Sequence, residues 1–183
     1  MGSARAGGIL AVAPWLATAG RLLLGAVLVV AGAIKIPDPA AAVRAVRAYQ
    51  LLPEPIVGPV AFGLPVVEVA VGLALLAGVF VRAAALASAA LLIVFMVGVA
   101  SAWARGLQID CGCFGGGGQV AAADTAYGTE LLRDLGLLIV ALLLARWPRS
   151  RLALGGLFPT DPSPGGAVSP AGEPTSEEEI HAR

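Results

Sequence analysis

The residues best suited to chemistry stand in one short run, Gln108-Ile109-Asp110-Cys111-Gly112-Cys113-Phe114-Gly115-Gly116-Gly117-Gly118, which holds both cysteines of the chain. In an oxidising compartment such a pair is readily oxidised. A bridge between residues two apart demands unusual backbone angles, and Gly112 has the widest choice of them. Departure from relaxed geometry makes a bridge more reducible, and strained, exposed bridges are the exchanging kind. Cys111 and Cys113 therefore point to thiol–disulfide exchange. Two other readings stay open. One is a structural staple, although a ring enclosing one residue removes little chain entropy. The other is a soft-metal site, because two thiolates suit copper(I). Structural zinc wants four Cys or His ligands, and the single histidine, His181, is far away in the C-terminal tail. The same shortage removes Ser-His and Cys-His nucleophilic catalysis. Gly115 to Gly118 lacks the Lys and Ser/Thr that follow in a phosphate-binding loop, so it reads as a flexible flank that lets the cysteines reach a partner.

A second constellation is made of charges inside apolar segments. Glu68 stands near the middle of one such segment, where an ionised group is costly and turns toward the protein interior or toward a partner. Arg21, Lys35 and Arg133 are the cations available to it. The pair so formed is either a structural tie between helices or a proton-handling carboxylate beside a quinone or substrate cavity. Arg21 and Lys35 stand near the two ends of their segment and can snorkel. Arg133 and Asp134 are adjacent and point about 100° apart on a helix, so only one can fill an inward site, and Arg133 is expected to be that one. Lys35, Arg44, Arg47 and Arg105 are the cations near enough to the cysteine loop to lower a thiol pKa.

The elements that must position these groups follow from hydropathy. Of the 183 residues 58% are hydrophobic and 13% charged, with a mean hydropathy of +0.86, whereas soluble domains carry about 25% charged residues. Twelve basic residues against twelve acidic ones leave no net charge, and so no electrostatic footprint for nucleic acid. A spanning helix needs about 20 apolar residues. Four runs meet that need, at about 15–36, 56–80, 83–103 and 129–147, and Trp15, Trp103 and Trp147 stand at their ends, where amphipathic rings prefer to lie. Recurrent glycines (Gly25, Gly32, Gly63, Gly72, Gly78, Gly98) allow close helix contact. The expected fold is an all-α membrane protein, a four-helix transmembrane bundle over residues 15–150, with a short segment 1–14 before it and the Cys-Gly-Cys loop at 104–128.

Between the first and second spans, Asp38-Pro39 supplies an N-cap and first helical residue, and Pro53 ends the pattern. That stretch reads as a short interfacial helix. Residues 151–183, rich in Pro, Gly, Ser and Glu, read as a disordered tail. Arg5 before an apolar stretch and Ala17-Thr18-Ala19 imitate a cleavable leader, but the stretch is short and contains Pro14, which argues against cleavage. Four spans put both termini on one side. The Arg146, Arg149 and Arg151 cluster places them in the cytoplasm of a multi-pass cell-membrane protein, with the cysteine loop outside.

These motifs together resemble a known group. Arg21, Leu24, Gly25, Gly32 and Lys35 in the first helix, and the Ala-Val-Arg-Ala-Tyr-x-Leu-Leu-Pro stretch ending at Pro53, resemble the DoxX-like superfamily. Pro65, Glu68 and Gly72, with Asp110-Cys111-Gly112-Cys113-Phe114-Gly115, narrow the resemblance to the methylamine utilisation protein MauE family, over about Arg21 to Trp147. It implies a redox-associated four-helix membrane protein that supports maturation or export of the disulfide-rich small subunit of methylamine dehydrogenase, beside a thioredoxin-like exchange protein. The expected partners are then the lipid bilayer, that exchange protein and a secreted disulfide-rich client. Thiol–disulfide exchange is the one enzymatic activity these residues offer, and it requires no cofactor. Two alternatives remain. A quinone-coupled DoxX-type oxidoreductase subunit would use a quinone, although membrane thiol oxidases generally employ two cysteine pairs where this chain has one. A nonenzymatic scaffold or chaperone would keep the cysteines as structure.

Overall fold

The computed structural model describes residues 3–110, 112, 117–121 and 125–147, with side chains from Pro14 onward. Cys111, Cys113, Arg149, Arg151 and the 151–183 tail lie outside the described residues. Five helices occur in the order α1 (Ser3–Lys35), α2 (Pro39–Ala48), α3 (Glu54–Ala77), α4 (Val81–Ala104) and α5 (Tyr127–Arg146). A two-stranded antiparallel hairpin, β1 (Ile109–Asp110) and β2 (Gly118–Gln119), interrupts the α4–α5 connection, with Ile109 opposite Gln119 and Asp110 opposite Gly118.

Local chemistry sets the boundaries. The carboxylate of Asp38 accepts from the Ala41 amide at 2.9 Å and Pro39 opens α2, the N-cap arrangement read from the sequence. Pro53 is held extended (φ −63°, ψ 145°) immediately before α3. Gly78 closes α3 in the left-handed region (φ 70°), and the Val79 amide returns to the Ala74 carbonyl at 3.0 Å, so α3 and α4 are joined by a very tight turn. At the other end α1 runs back to Ser3, and the segment expected to stand apart before Trp15 is mostly helix. Pro14 lies within it and has no amide to offer; the Thr18 hydroxyl donates to the Pro14 carbonyl at 2.9 Å.

The pairings define the bundle. α1 runs antiparallel to α3 at very short range. A Cβ on Gly25 would stand 2.9 Å from the Gly72 carbonyl, one on Gly72 would stand 2.8 Å from the Gly25 carbonyl, and one on Gly32 would stand 2.6 Å from the Pro65 carbonyl. Small residues of this kind substitute backbone contact for side-chain contact. Leu24, Leu28, Leu75, Ala85, Leu92, Leu137 and Ala141 form the main core, drawn from α1, α3, α4 and α5. A second cluster, Val99, Ala102, Ile109 and Tyr127, closes the opposite end under the hairpin. Because consecutive long helices are antiparallel, α2 and the hairpin share one end of the bundle and the α3–α4 turn occupies the other.

Among the described residues three helical stretches are long and apolar enough to cross a membrane: Pro14–Lys35, Glu54–Ala77 and Val81–Ala104. Their outward faces are lined by exposed large apolar side chains, among them Leu23, Phe62, Val66 and Val94. α5 is of comparable length at 20 residues, but Glu130, Arg133 and Asp134 fall in its first two turns.

Gly72→Ala is expected to lower the thermal unfolding midpoint of the purified protein in detergent, by the roughly 1–3 kcal/mol of an overpacked contact. Gly63, on the same helix with nothing within 4 Å of its position, serves as the control: Gly63→Ala is expected to be neutral or slightly stabilising, since alanine is the better helix former.

Candidate functional site

Of the three cations available to Glu68, the structure selects Lys35. Its ammonium lies 2.9 Å from both Oε1 and Oε2, and the two side chains are 10% and 1% exposed. Lys35, at the end of α1, has the reach to snorkel outward. Instead the stem turns down into the bundle, in the direction in which helical side chains already lean, and brings the charge to a carboxylate that would otherwise be buried alone. The ring of Phe95 on α4 stands 5.3 Å from the same ammonium, a cation–π contact. Arg21, also able to snorkel, is 1% exposed, inside the bundle.

The Arg133–Asp134 expectation is reversed. Asp134 is the inward residue, its side chain 5% exposed, while Arg133 is 36% exposed and bends back so that Nε and Nη2 reach Asp134 Oδ1 at 3.0 and 2.9 Å. The shorter carboxylate fits the inward position, and the long guanidinium arm can follow it from the rim. Glu68, Phe95 and this second ion pair line one void of about 30 Å³, so the Glu68 carboxylate and the Arg133–Asp134 pair face a common space at the junction of α1, α3, α4 and α5.

Above the Lys35–Glu68 pair, at the end that carries α2, lies a larger cavity of about 170 Å³. Lys35 and Asp38, the alanine face of α2 (Ala41, Ala42, Ala45), Tyr49, Pro65 and Phe95 form most of its wall, and Gly112 completes it. Gly112 is the residue between the two cysteines. Its φ is +68° and its amide donates to Asp110 Oδ1 at 3.0 Å, while a Cβ there would stand 3.0 Å from Ala45 Cβ. Gly117 (φ +78°) presses on the same alanine, where a Cβ would come within 2.4 Å. Both positions need a residue that accepts positive φ and has no side chain. Gly117 is thus a docking contact on α2 where a flexible flank was expected. Cys111 and Cys113 flank this described glycine and lie outside the described residues themselves.

The stem of the loop is held by Tyr127, which sequence reasoning passed over, and by Arg105, which it considered only as a cation near the thiols. The Tyr127 hydroxyl accepts from the Ile109 amide at 3.0 Å and donates to the Leu107 carbonyl at 2.5 Å. Its ring lies 6.2 Å from that of Trp103. Arg105 uses Nε on the Ser101 carbonyl at 3.1 Å and Nη2 on the Tyr49 carbonyl at 2.6 Å, tying the end of α4 to the end of α2. The cations considered for activating a thiol are therefore committed: Lys35 to Glu68, Arg105 to carbonyls, Arg47 to Glu54, and Arg44 to within 3.7 Å of Asp38. The bonded carboxylate of Glu54 raises the Arg47 pKa above its ordinary value. Tyr127 carried one sequence signal: it is one of only two tyrosines in the chain and stands at the far end of the cysteine loop. Among the described residues no cluster of three or more His, Cys, Asp or Glu could hold a metal ion.

Apolar helices of spanning length, buried ion pairs and a polar loop gathered at one end define a multi-pass all-α membrane protein. The sequence profile of the methylamine utilisation protein MauE family matches residues 13–146, and the chain belongs to that family. It is 36% identical over 135 residues to the methylamine utilization protein MauE of Paracoccus denitrificans, covering 73% of this chain and 70% of that protein. No solved structure matches.

Removing one partner of a buried pair leaves an uncompensated charge and costs about 3–5 kcal/mol, whereas replacing both by apolar groups is often neutral. Glu68→Leu alone is accordingly expected to destabilise the protein strongly, and Lys35→Met combined with Glu68→Leu to recover most of the loss. Unfolding midpoints of the two single variants and the double variant provide the check. Strictly additive losses would contradict the pairing.

Proposed function

We propose that the protein is a redox maturation factor of the methylamine utilisation system, in which Cys111 and Cys113 donate a disulfide to a secreted, disulfide-rich client. The observation that carries this reading is the placement of Gly112. The middle residue of the Cys-Gly-Cys run is fixed in a left-handed conformation against α2, at the end of the bundle that also holds the hairpin. The residue that joins the two cysteines in sequence is thus held on a rigid scaffold. The name of the Paracoccus denitrificans relative supports the pathway.

In the forward reaction a client thiolate attacks one sulfur of the Cys111–Cys113 disulfide. The S–S bond breaks, a mixed disulfide forms and the other cysteine leaves as thiolate. A second client thiolate then attacks the mixed bond, so the client gains a disulfide and this chain is left as the dithiol, with two electrons transferred. A thioredoxin-like exchange protein is the natural partner for the same chemistry. We place α5 as a fourth span, giving cytoplasmic termini and an outward loop. Its charged first turns then lie at the outer boundary, and Arg146 at its end lies on the positive, inner side.

Trapping tests the exchange. Cys113→Ser and Cys111→Ser, expressed separately in cells that contain the client, are expected to yield from at least one variant a disulfide-linked adduct that reductant releases. Absence of an adduct from both would overturn the mechanism.

A further inference from the structure

At the end of the bundle opposite α2 and the hairpin, an apolar groove of about 280 Å³ lies between α1 and α5. Leu16, Ala17 and Gly20 form one wall, and Val140, Leu144 and Trp147 form the other. At Gly20 the two helices are close, since a Cβ there would stand 3.1 Å from Val140 Cγ1. From Val140 to Trp147 the groove follows α5 for about 10 Å, at 1.5 Å per residue. Its walls offer almost nothing to which water could hydrogen-bond, and an ordered water needs two to four polar partners. The occupant must therefore be apolar over that length.

The surroundings say which apolar occupant. Leu135, Ile139, Leu142 and Leu143 are exposed along α5, and Leu16 is exposed on α1, so the groove lies in a surface that faces acyl chains. Trp147 in its wall and Trp15 beside Leu16 are both more than half exposed. Amphipathic rings of this kind prefer the level of the headgroups, so the groove begins at the interface and runs inward from it. Charge at the same end has one sign. No acidic residue occurs in 14–35, 72–104 or 135–147, the portions of α1, α3, α4 and α5 that meet here, whereas Arg82 and Arg146 are exposed at this end. Arg146 precedes Trp147, closes α5 and has no ion-pair partner among the described residues. An apolar slot with an uncompensated guanidinium at its mouth matches a molecule that joins a hydrocarbon chain to an anionic head.

We propose that this groove binds an acyl chain of an anionic glycerophospholipid and that Arg146 holds its phosphate. Guanidinium is suited to that role, because its planar fork meets two phosphate oxygens at once. The Trp147 indole offers one N–H donor at the same level. The bound lipid bridges α1 and α5, whose seam closes the bundle between the first and the last helix. The inference uses residues of α1 and α5 alone and stands whether or not the exchange reading does.

The test uses the full chain, purified and delipidated in detergent, and titrated with dioleoyl phosphatidylglycerol or dioleoyl phosphatidylcholine. Native mass spectrometry counts the bound lipid. The expected result is one tightly held phosphatidylglycerol per chain, with at least fivefold preference over phosphatidylcholine; a basic side chain near a membrane surface contributes about 1 kcal/mol, which is about fivefold. Arg146→Gln is expected to weaken phosphatidylglycerol about fivefold and leave phosphatidylcholine unchanged. Ala17→Leu, which fills the groove, is expected to weaken both lipids at least fivefold while the protein still unfolds cooperatively. Arg82→Gln, at the same end but outside the groove, is expected to change neither. Equal retention of the two lipids by the wild type would overturn the inference, as would an Arg146→Gln variant that binds phosphatidylglycerol as the wild type does. A groove covered by a second copy of the chain would give a dimer that excludes lipid, and that result would overturn it too.

Discussion

The Lys35–Glu68 ion pair is the constraint on which most of the arrangement depends. Two charges in an apolar bundle are tolerable only when they meet with good geometry, and here they meet because α1 and α3 approach until the Gly25 and Gly72 backbones touch. With a side chain at either glycine the helices would stand further apart. Lys35 also lines the cavity under α2, and Glu68 lines the smaller void shared with Arg133 and Asp134. The pair therefore couples helix packing to the end of the bundle that carries α2 and the hairpin.

Around that floor the loop is fastened by unrelated means that reinforce one another. Tyr127 grips the strand leading to the cysteines through two backbone hydrogen bonds, and Arg105 joins the ends of α2 and α4. Gly112 and Gly117 dock on Ala45. The small residues of α2 serve two purposes: they admit the loop backbone, and they leave the cavity open.

Much of this was legible in the sequence, for reasons that differ by element. Spans show in hydropathy because lipid admits few charges, and α2 shows in Asp38-Pro39 because capping is local chemistry. The need of Glu68 for a cation follows from burial alone. The choice of Lys35 over Arg21 and Arg133 does not, because it depends on how closely two helices approach, and the glycines that set that distance are seven residues apart on one helix and pair across 47 positions of chain (Gly25 with Gly72). Arg133 and Asp134 were separable only by knowing which face of α5 meets the bundle. The hairpin left no alternating pattern to read, since its strands are two residues each. The contacts of Tyr127 are 18 and 20 residues away.

The proposed function requires the dithiol of Cys111 and Cys113 to stand on the outer side of the membrane. Labelling intact cells with a membrane-impermeant maleimide after mild external reduction measures this directly. Modification of Cys111 and Cys113 from outside, blocked when the reductant is omitted, is the expected result. Labelling that appears only after the membrane is permeabilised would contradict the account.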